Sequence, residues 1–116
     1  MFQTRYWREG FKCWRRFGAN APGLGKLRRW QREWTASRSA GRNSLDDESP
    51  WITYGAREFL EGFLQPRFRV FEWGSGGSSL FFARRVAQVI SVEHDANWFE
   101  LVQTEARHRG LKNWQG

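Results

Sequence analysis

The chain has 116 residues, of which 40% are hydrophobic and 27% charged, and its net charge is +7. This composition is that of a small globular protein and excludes a disordered chain. Since no stretch approaches the roughly 18 apolar residues of a membrane span, we expect no transmembrane segment. The single cysteine, Cys13, excludes a disulfide framework within one chain, so we expect a cytoplasmic protein. We name no metal ligand.

The positive charge is concentrated near the N-terminus. Residues 1–45 contain eleven arginines and lysines but only two acids, which gives a net charge of about +9. Residues 46–116 carry a net charge of about −2. The chain therefore divides into a basic, tryptophan-rich extension (1–45), a short linker (46–50) and a domain (51–116).

The sequence pattern of the extension predicts two amphipathic helices separated by a turn-forming stretch at 18–25. Their apolar residues are Trp7, Phe11 and Trp14 on the first, and Leu27, Trp30 and Trp34 on the second. Three interpretations follow: the helices bind an anionic membrane, they bind nucleic acid, or their aromatic residues pack on the domain while the arginines stay solvated.

The sequence pattern of the domain predicts an alternation of helices and strands. In chain order, the pattern predicts a helix from Trp51 to Pro66, a strand at 67–73, a helix at 78–86, a strand at 89–93 and a helix at 96–108. Such an alternation is typical of a parallel α/β sheet. We expect Asp95 to cap the last helix and Gly110 to end it.

A glycine-rich turn between two acids is the most specific motif. Gly74, Gly76 and Gly77 follow the first strand, whose penultimate residue is Glu72, and Glu93 ends the second strand. An acid at the end of the second strand has the spacing at which ribose hydroxyls are bound. We expect Gly74 and Gly76 to adopt positive φ and to let a ligand approach the backbone.

The acid before the glycines discriminates between cofactors. A dinucleotide turn has the pattern G-x-G-x-x-G, but Ser79 stands at its third glycine position. Glu72 would also repel a pyrophosphate, whereas it would attract an ammonium or a sulfonium group. This favours S-adenosylmethionine, with a dinucleotide-binding half-domain as one alternative. A tight turn that binds no ligand is another.

Residues 68–95 resemble motif I and the acidic motif after it in class I S-adenosylmethionine-dependent methyltransferases, written E/D-x-G-x-G-x-G. Glu72, Gly74 and Gly76 match, while Ser78 replaces the last glycine and Gly77 stands one place early. The resemblance implies a Rossmann-like parallel sheet.

The resemblance also assigns roles to the matching positions. Glu72 lies near the methionine end of the cofactor, and Glu93 binds the ribose hydroxyls. The backbone of the turn lines the cofactor, through Gly74, Ser75, Gly76 and Gly77. Residues 51–54 would flank it.

The two predicted strands make only half of such a domain, truncated after the second strand and its helix. They would expose both sheet edges and at least one apolar face. We therefore expect a methyltransferase fragment, or a chain completed by another polypeptide, that is inactive alone. In the family, acceptor and catalytic residues follow the fourth strand, so the acceptor and the catalytic residues stay unknown. The alternative from another class is a non-enzymatic basic module that acts through residues 1–45.

Overall fold

The computed structural model describes residues 2–17, 22–39 and 41–116. The chain consists of two compact units, Met1–Gly41 and Arg42–Gly116. The predicted linker, 46–50, thus belongs to the second unit.

The first unit contains two helices that contact each other, α1 (Phe2–Phe17) and α2 (Leu24–Ser37). Both helices are predicted by the spacing of their apolar residues, and α1 continues through Gly10. Most of the intervening turn lies outside the described residues. Among the helices of the described part of the chain, none has the length and apolarity required to cross a bilayer.

The second unit alternates helices with strands, as the sequence predicts. Its elements are α3 (Ser44–Asp47), α4 (Tyr54–Phe63), β1 (Arg69–Trp73), α5 (Gly77–Ala83), β2 (Gln88–Val92), α6 (Ala96–His108) and β3 (Trp114–Gln115).

Local side-chain hydrogen bonds set several helix boundaries. Thr53 caps α4, which therefore begins three residues later than the apolar pattern suggests. The carboxylate of Asp95 accepts a hydrogen bond from the N–H of Trp98 at 3.1 Å, which confirms its predicted capping role in α6. Gly110, at a φ of +68°, follows the end of α6.

The sheet has three parallel strands in the order β1-β2-β3. The prediction of a sheet that stops after its second strand is wrong, because Trp114 and Gln115 pair with Val89 and Ile90 of β2. The side chain of Asn113 holds β3 in place by donating to the carbonyl oxygens of Ala83 and Val86, each at 2.8 Å. The outer edge of β2 is therefore covered at Val89 and Ile90.

One face of the sheet carries the core of this unit. Val89, Ser91 and Trp114 are buried on it, together with Leu80 of α5 and Val102 of α6. Successive side chains of a strand alternate between the two faces.

The opposite face is apolar and open to solvent in the described structure. Phe71 and Val92 are exposed on it, and Trp73 is 82% exposed. The expectation that at least one apolar face is exposed agrees with this arrangement.

The short helix α3 packs against the start of α5 at very close range. A Cβ atom at Gly77 would lie 2.1 Å from the carbonyl oxygen of Ser44 and 2.6 Å from that of Ser49. Glu48, which follows α3, forms ion pairs with Arg84 after α5 and with Arg109 after α6. These contacts fix residues 44–49 over the first turn of α5.

The close approach at Gly77 gives a stability test. We expect Gly77→Ala to lower the free energy of unfolding by about 3 kcal/mol, because backbone carbonyls on two sides must move to admit a methyl group. The matched control is Gly62→Ala in α4, where a Cβ meets nothing within 4 Å and alanine should stabilise the helix by about 0.5 kcal/mol. Urea unfolding followed by circular dichroism measures both. Equal effects of the two substitutions would contradict the packing described.

Candidate functional site

The residues predicted to bind a cofactor meet at the carboxyl edge of the sheet. Glu72 in β1 pairs in register with Ser91 in β2, and Glu93 directly follows β2. The turn from Gly74 to Gly76 joins β1 to α5, and Gly77 is the first residue of α5. Since β1 and β2 are parallel neighbours, the two acids and the turn share one end of the sheet.

Glu93 joins the loops that follow β1 and β2. One carboxylate oxygen, Oε2, accepts from the Ser75 N–H at 2.8 Å and from the Ser75 hydroxyl at 3.2 Å. The other, Oε1, accepts from the N–H groups of His94 at 2.9 Å and Asp95 at 3.0 Å. The side chain of Glu93 is only 5% exposed. Four donors thus occupy the carboxylate.

These donors keep Glu93 ionised. Hydrogen bonds from the backbone N–H groups, above all that of Ser75, lower the pKa of Glu93 from 4.5 to about 2, although burial opposes them. The carboxylate is therefore a fixed negative charge in the neutral pH range.

Glu72 is held by serine hydroxyls. Ser78 donates to its Oε2 at 2.8 Å, Ser91 donates to its Oε1 at 2.7 Å, and Ser79 also donates to Oε1. The indole N–H of Trp114 donates in turn to the Ser91 hydroxyl at 2.8 Å. A chain of hydrogen bonds thus links the carboxylate in β1 to β2 and β3.

The glycines of the turn differ in what surrounds them. Gly74 has a φ of +81°, as predicted, and a Cβ there would meet no atom within 4 Å. The same prediction is wrong at Gly76, whose φ of 161° is extended, and the space beside it is filled by Ser44 and Trp98. Gly77 faces the carbonyl oxygens described above. Of the three, only Gly74 leaves open space for a ligand; Gly76 and Gly77 admit the chain's own residues.

An open pocket of about 390 Å³ lies at the same edge, beyond the ends of β2 and β3. Ligands of open α/β sheets bind outside the carboxyl ends of the strands, and this volume is within the range of small-molecule sites. Its lining residues are Ser91, Val92, Glu93, His94, Ala96, Phe99 and Gly116. Trp51, which was expected near the cofactor, is exposed and does not line this pocket.

Sequence reasoning missed the side chains that hold the acids and the turn. Trp98 donates its indole N–H to the Ser75 carbonyl oxygen at 2.7 Å. The Ser44 hydroxyl accepts from the Gly77 N–H at 3.2 Å, although nothing in the sequence indicates that Ser44 lies near the turn. Ser91 offered a usable signal, because it is a polar residue between the apolar residues Ile90 and Val92 of β2. Such a residue needs a partner when it is buried.

Comparison of the chain with protein-family models, with curated proteins and with solved structures finds no match. Within the described residues, no cluster of three or more histidine, cysteine or acidic side chains could hold a metal ion.

The carboxylates of Glu93 and Glu48 predict a dependence of stability on pH. The pKa of each is lowered from 4.5 to about 2, in Glu48 chiefly by its hydrogen bond from Arg84. A lowered pKa means that the folded state favours the ionised form. The resulting stability is fully present above about pH 4.5 and is lost as the pH falls towards 2.

We therefore expect the urea midpoint to fall between pH 5 and pH 3, and Glu93→Gln to reduce this fall by removing one of the two groups, according to the linkage relation. Glu100→Gln, the same substitution at an exposed acid of α6, is the control for exchanging a carboxylate for an amide. If Glu93→Gln kept the full pH dependence, the hydrogen bonds assigned to Glu93 would not hold the loops in solution.

Proposed function

We propose that the carboxyl edge of the sheet binds S-adenosylmethionine and that the chain contributes the cofactor-binding half of a Rossmann-like methyltransferase domain. The observation that carries this proposal is the position of Glu93. Its ionised carboxylate lines an open pocket and lies beside a glycine turn at the ends of two adjacent parallel strands.

Glu93 has the chemistry to bind a ribose. A carboxylate accepts hydrogen bonds from two vicinal hydroxyl groups, and the ionised form is the better acceptor. The Ser75 hydroxyl makes the longest of the four contacts to Glu93, at 3.2 Å. We infer that a ribose hydroxyl replaces this hydroxyl on Oε2 while the three backbone N–H groups keep the carboxylate in place.

Glu72 and Gly74 suit the other end of the cofactor. The side chain of Glu72 is held by serine hydroxyl groups, and a carboxylate favours a sulfonium or an ammonium over a pyrophosphate. Gly74, with open space beside it, permits close approach to the backbone. Gly76 and Gly77 then act by letting α3 and Trp98 pack on the turn, rather than by touching the ligand.

S-adenosylmethionine supplies an electrophilic methyl group for in-line displacement. The residues described here would bind and orient it, since positioning is a large part of catalysis in such a reaction. The methyl acceptor and a base for it are not assigned to any residue of this chain.

Isothermal titration calorimetry tests the proposal. The full chain should bind S-adenosylmethionine, and Glu93→Ala should weaken the affinity by about tenfold to a hundredfold, the effect of losing hydrogen bonds to a charged acceptor. Ser75→Ala should bind as tightly as the original chain or more tightly, because the backbone N–H remains and the competing hydroxyl is gone. Glu100→Ala is the matched control for loss of an acid.

Two results would contradict the proposal. One is the absence of binding by a chain whose circular dichroism shows the folded state. The other is tighter binding of NAD than of S-adenosylmethionine, which would favour the dinucleotide alternative.

The role of Glu72 has its own test. Glu72→Gln should weaken the binding of S-adenosylmethionine by roughly fivefold relative to that of S-adenosylhomocysteine, which lacks the sulfonium charge. The reason is that a charge pair several ångströms apart contributes about 1 kcal/mol. Competition between the two ligands in calorimetry measures this ratio. An equal loss for both ligands would show that Glu72 acts only through the fold of the turn.

A further inference from the structure

None of the site residues described above belongs to α1 or α2, and these helices carry nine of the 19 arginines and lysines of the chain but only two of its 12 acids. We propose that this helical pair, α1 and α2, binds the surface of an anionic lipid bilayer. The proposal rests on how charged and aromatic side chains are distributed around the two helices and on how exposed they are.

The arginines and the apolar side chains are separated around α2, whereas Lys26 lies nearer the apolar group. An α-helix turns by about 100° per residue, which places the centres of the two groups about 180° apart. The apolar group is Leu27, Trp30 and Trp34. The basic group is Arg28, Arg29 and Arg32, and all three are exposed.

Helix α2 is not buried as a core-facing helix would be, and its apolar residues Leu27, Trp30 and Trp34 are half-buried. None of its 14 residues is buried, and Leu24 at its start is 67% exposed.

The first helix is also basic and also carries an exposed apolar residue. Arg8, Lys12 and Arg15 lie within about 60° of one another around α1 and are exposed. Phe11, on a neighbouring side, is 59% exposed. Glu9, which forms ion pairs with Lys12 at 2.9 Å and with Arg8 at 3.8 Å, is the single acid of α1. Both helices thus combine a strongly positive side with exposed aromatic or aliphatic groups.

A bilayer surface fits this distribution better than nucleic acid does. A helix lying in the interface inserts its apolar side among acyl chains, while arginines on the polar side reach anionic headgroups. Tryptophan suits this boundary, because its ring is apolar and its N–H is polar. Single-stranded nucleic acid instead requires stacking rings and phosphate-binding arginines on one continuous surface. On α2 the two groups face opposite directions.

Vesicle co-sedimentation of the full chain tests the proposal. We expect binding to vesicles of phosphatidylcholine with phosphatidylserine, little binding to phosphatidylcholine alone, and weaker binding as salt is raised. The triple variant Arg8→Gln, Lys12→Gln and Arg15→Gln should lower the partition coefficient by about a hundredfold, from the contribution of each basic residue at an anionic surface.

Matched controls separate this surface from a general effect of charge or apolarity. The triple variant Arg67→Gln, Arg107→Gln and Lys112→Gln removes the same charge from exposed positions of the second unit and should bind as the original chain does. Phe11→Ser with Leu24→Ser should weaken vesicle binding, whereas Phe59→Ser, an equally exposed aromatic of α4, should not. Circular dichroism checks that each variant keeps its helices.

Three outcomes would overturn the proposal. They are the absence of binding to either vesicle, an equal loss in the two triple variants, and binding to single-stranded or duplex DNA that is tighter than binding to phosphatidylserine vesicles at the same salt. The last result would assign the helical pair to nucleic acid.

Discussion

The carboxyl edge of the sheet depends on one interaction, the hydrogen bonding of the Glu93 carboxylate by the loops after β1 and β2. Parallel strands end in loops whose backbone N–H groups need partners, and Glu93 accepts from three of them, in Ser75, His94 and Asp95. These three N–H groups, with the Ser75 hydroxyl, keep the carboxylate ionised. The glycine turn thus has a defined position before any ligand arrives, which limits the reorganisation that binding requires.

The surrounding residues reinforce that position from two sides. Below the turn, Glu72 connects β1 through serine hydroxyls to β2, and Ser91 extends the connection to Trp114 in β3. Above the turn, Gly77 admits residues 44–49 to a distance that no side chain would allow, and Glu48 ties them to Arg84 and Arg109. The acids and glycines therefore have structural roles that accompany the proposed binding of S-adenosylmethionine, and the tests above separate the two.

Much of the second unit could be predicted from its sequence, because long periodic elements carry a strong local signal. The bounds of α6 agree with the prediction, and β1 and β2 differ from it by one or two residues. The short elements could not be predicted: β3 has two residues and α3 has four, too few to show a period. Both depend on tertiary contacts, β3 on Asn113 and α3 on the close approach at Gly77.

The site shows the same division between local and tertiary information. The spacing of Glu72, Gly74 and Glu93 correctly predicts that they meet at one edge of the sheet. Their partners Trp98 and Ser44 come from elements whose approach only the fold determines. The uses of Gly76 and Gly77 could not be read from sequence either, since glycine permits close approach by a ligand and by the protein's own backbone alike.

The most direct test of the proposed site follows the backbone N–H signals of the turn by NMR while S-adenosylmethionine is added. The account predicts saturable shifts at Gly74, Ser75, His94 and Asp95, because ribose binding at Glu93 changes the hydrogen bonds of these groups, and no comparable shifts in α2. The account would be contradicted if these signals did not move at ligand concentrations that saturate binding, or if the shifts lay elsewhere in the chain.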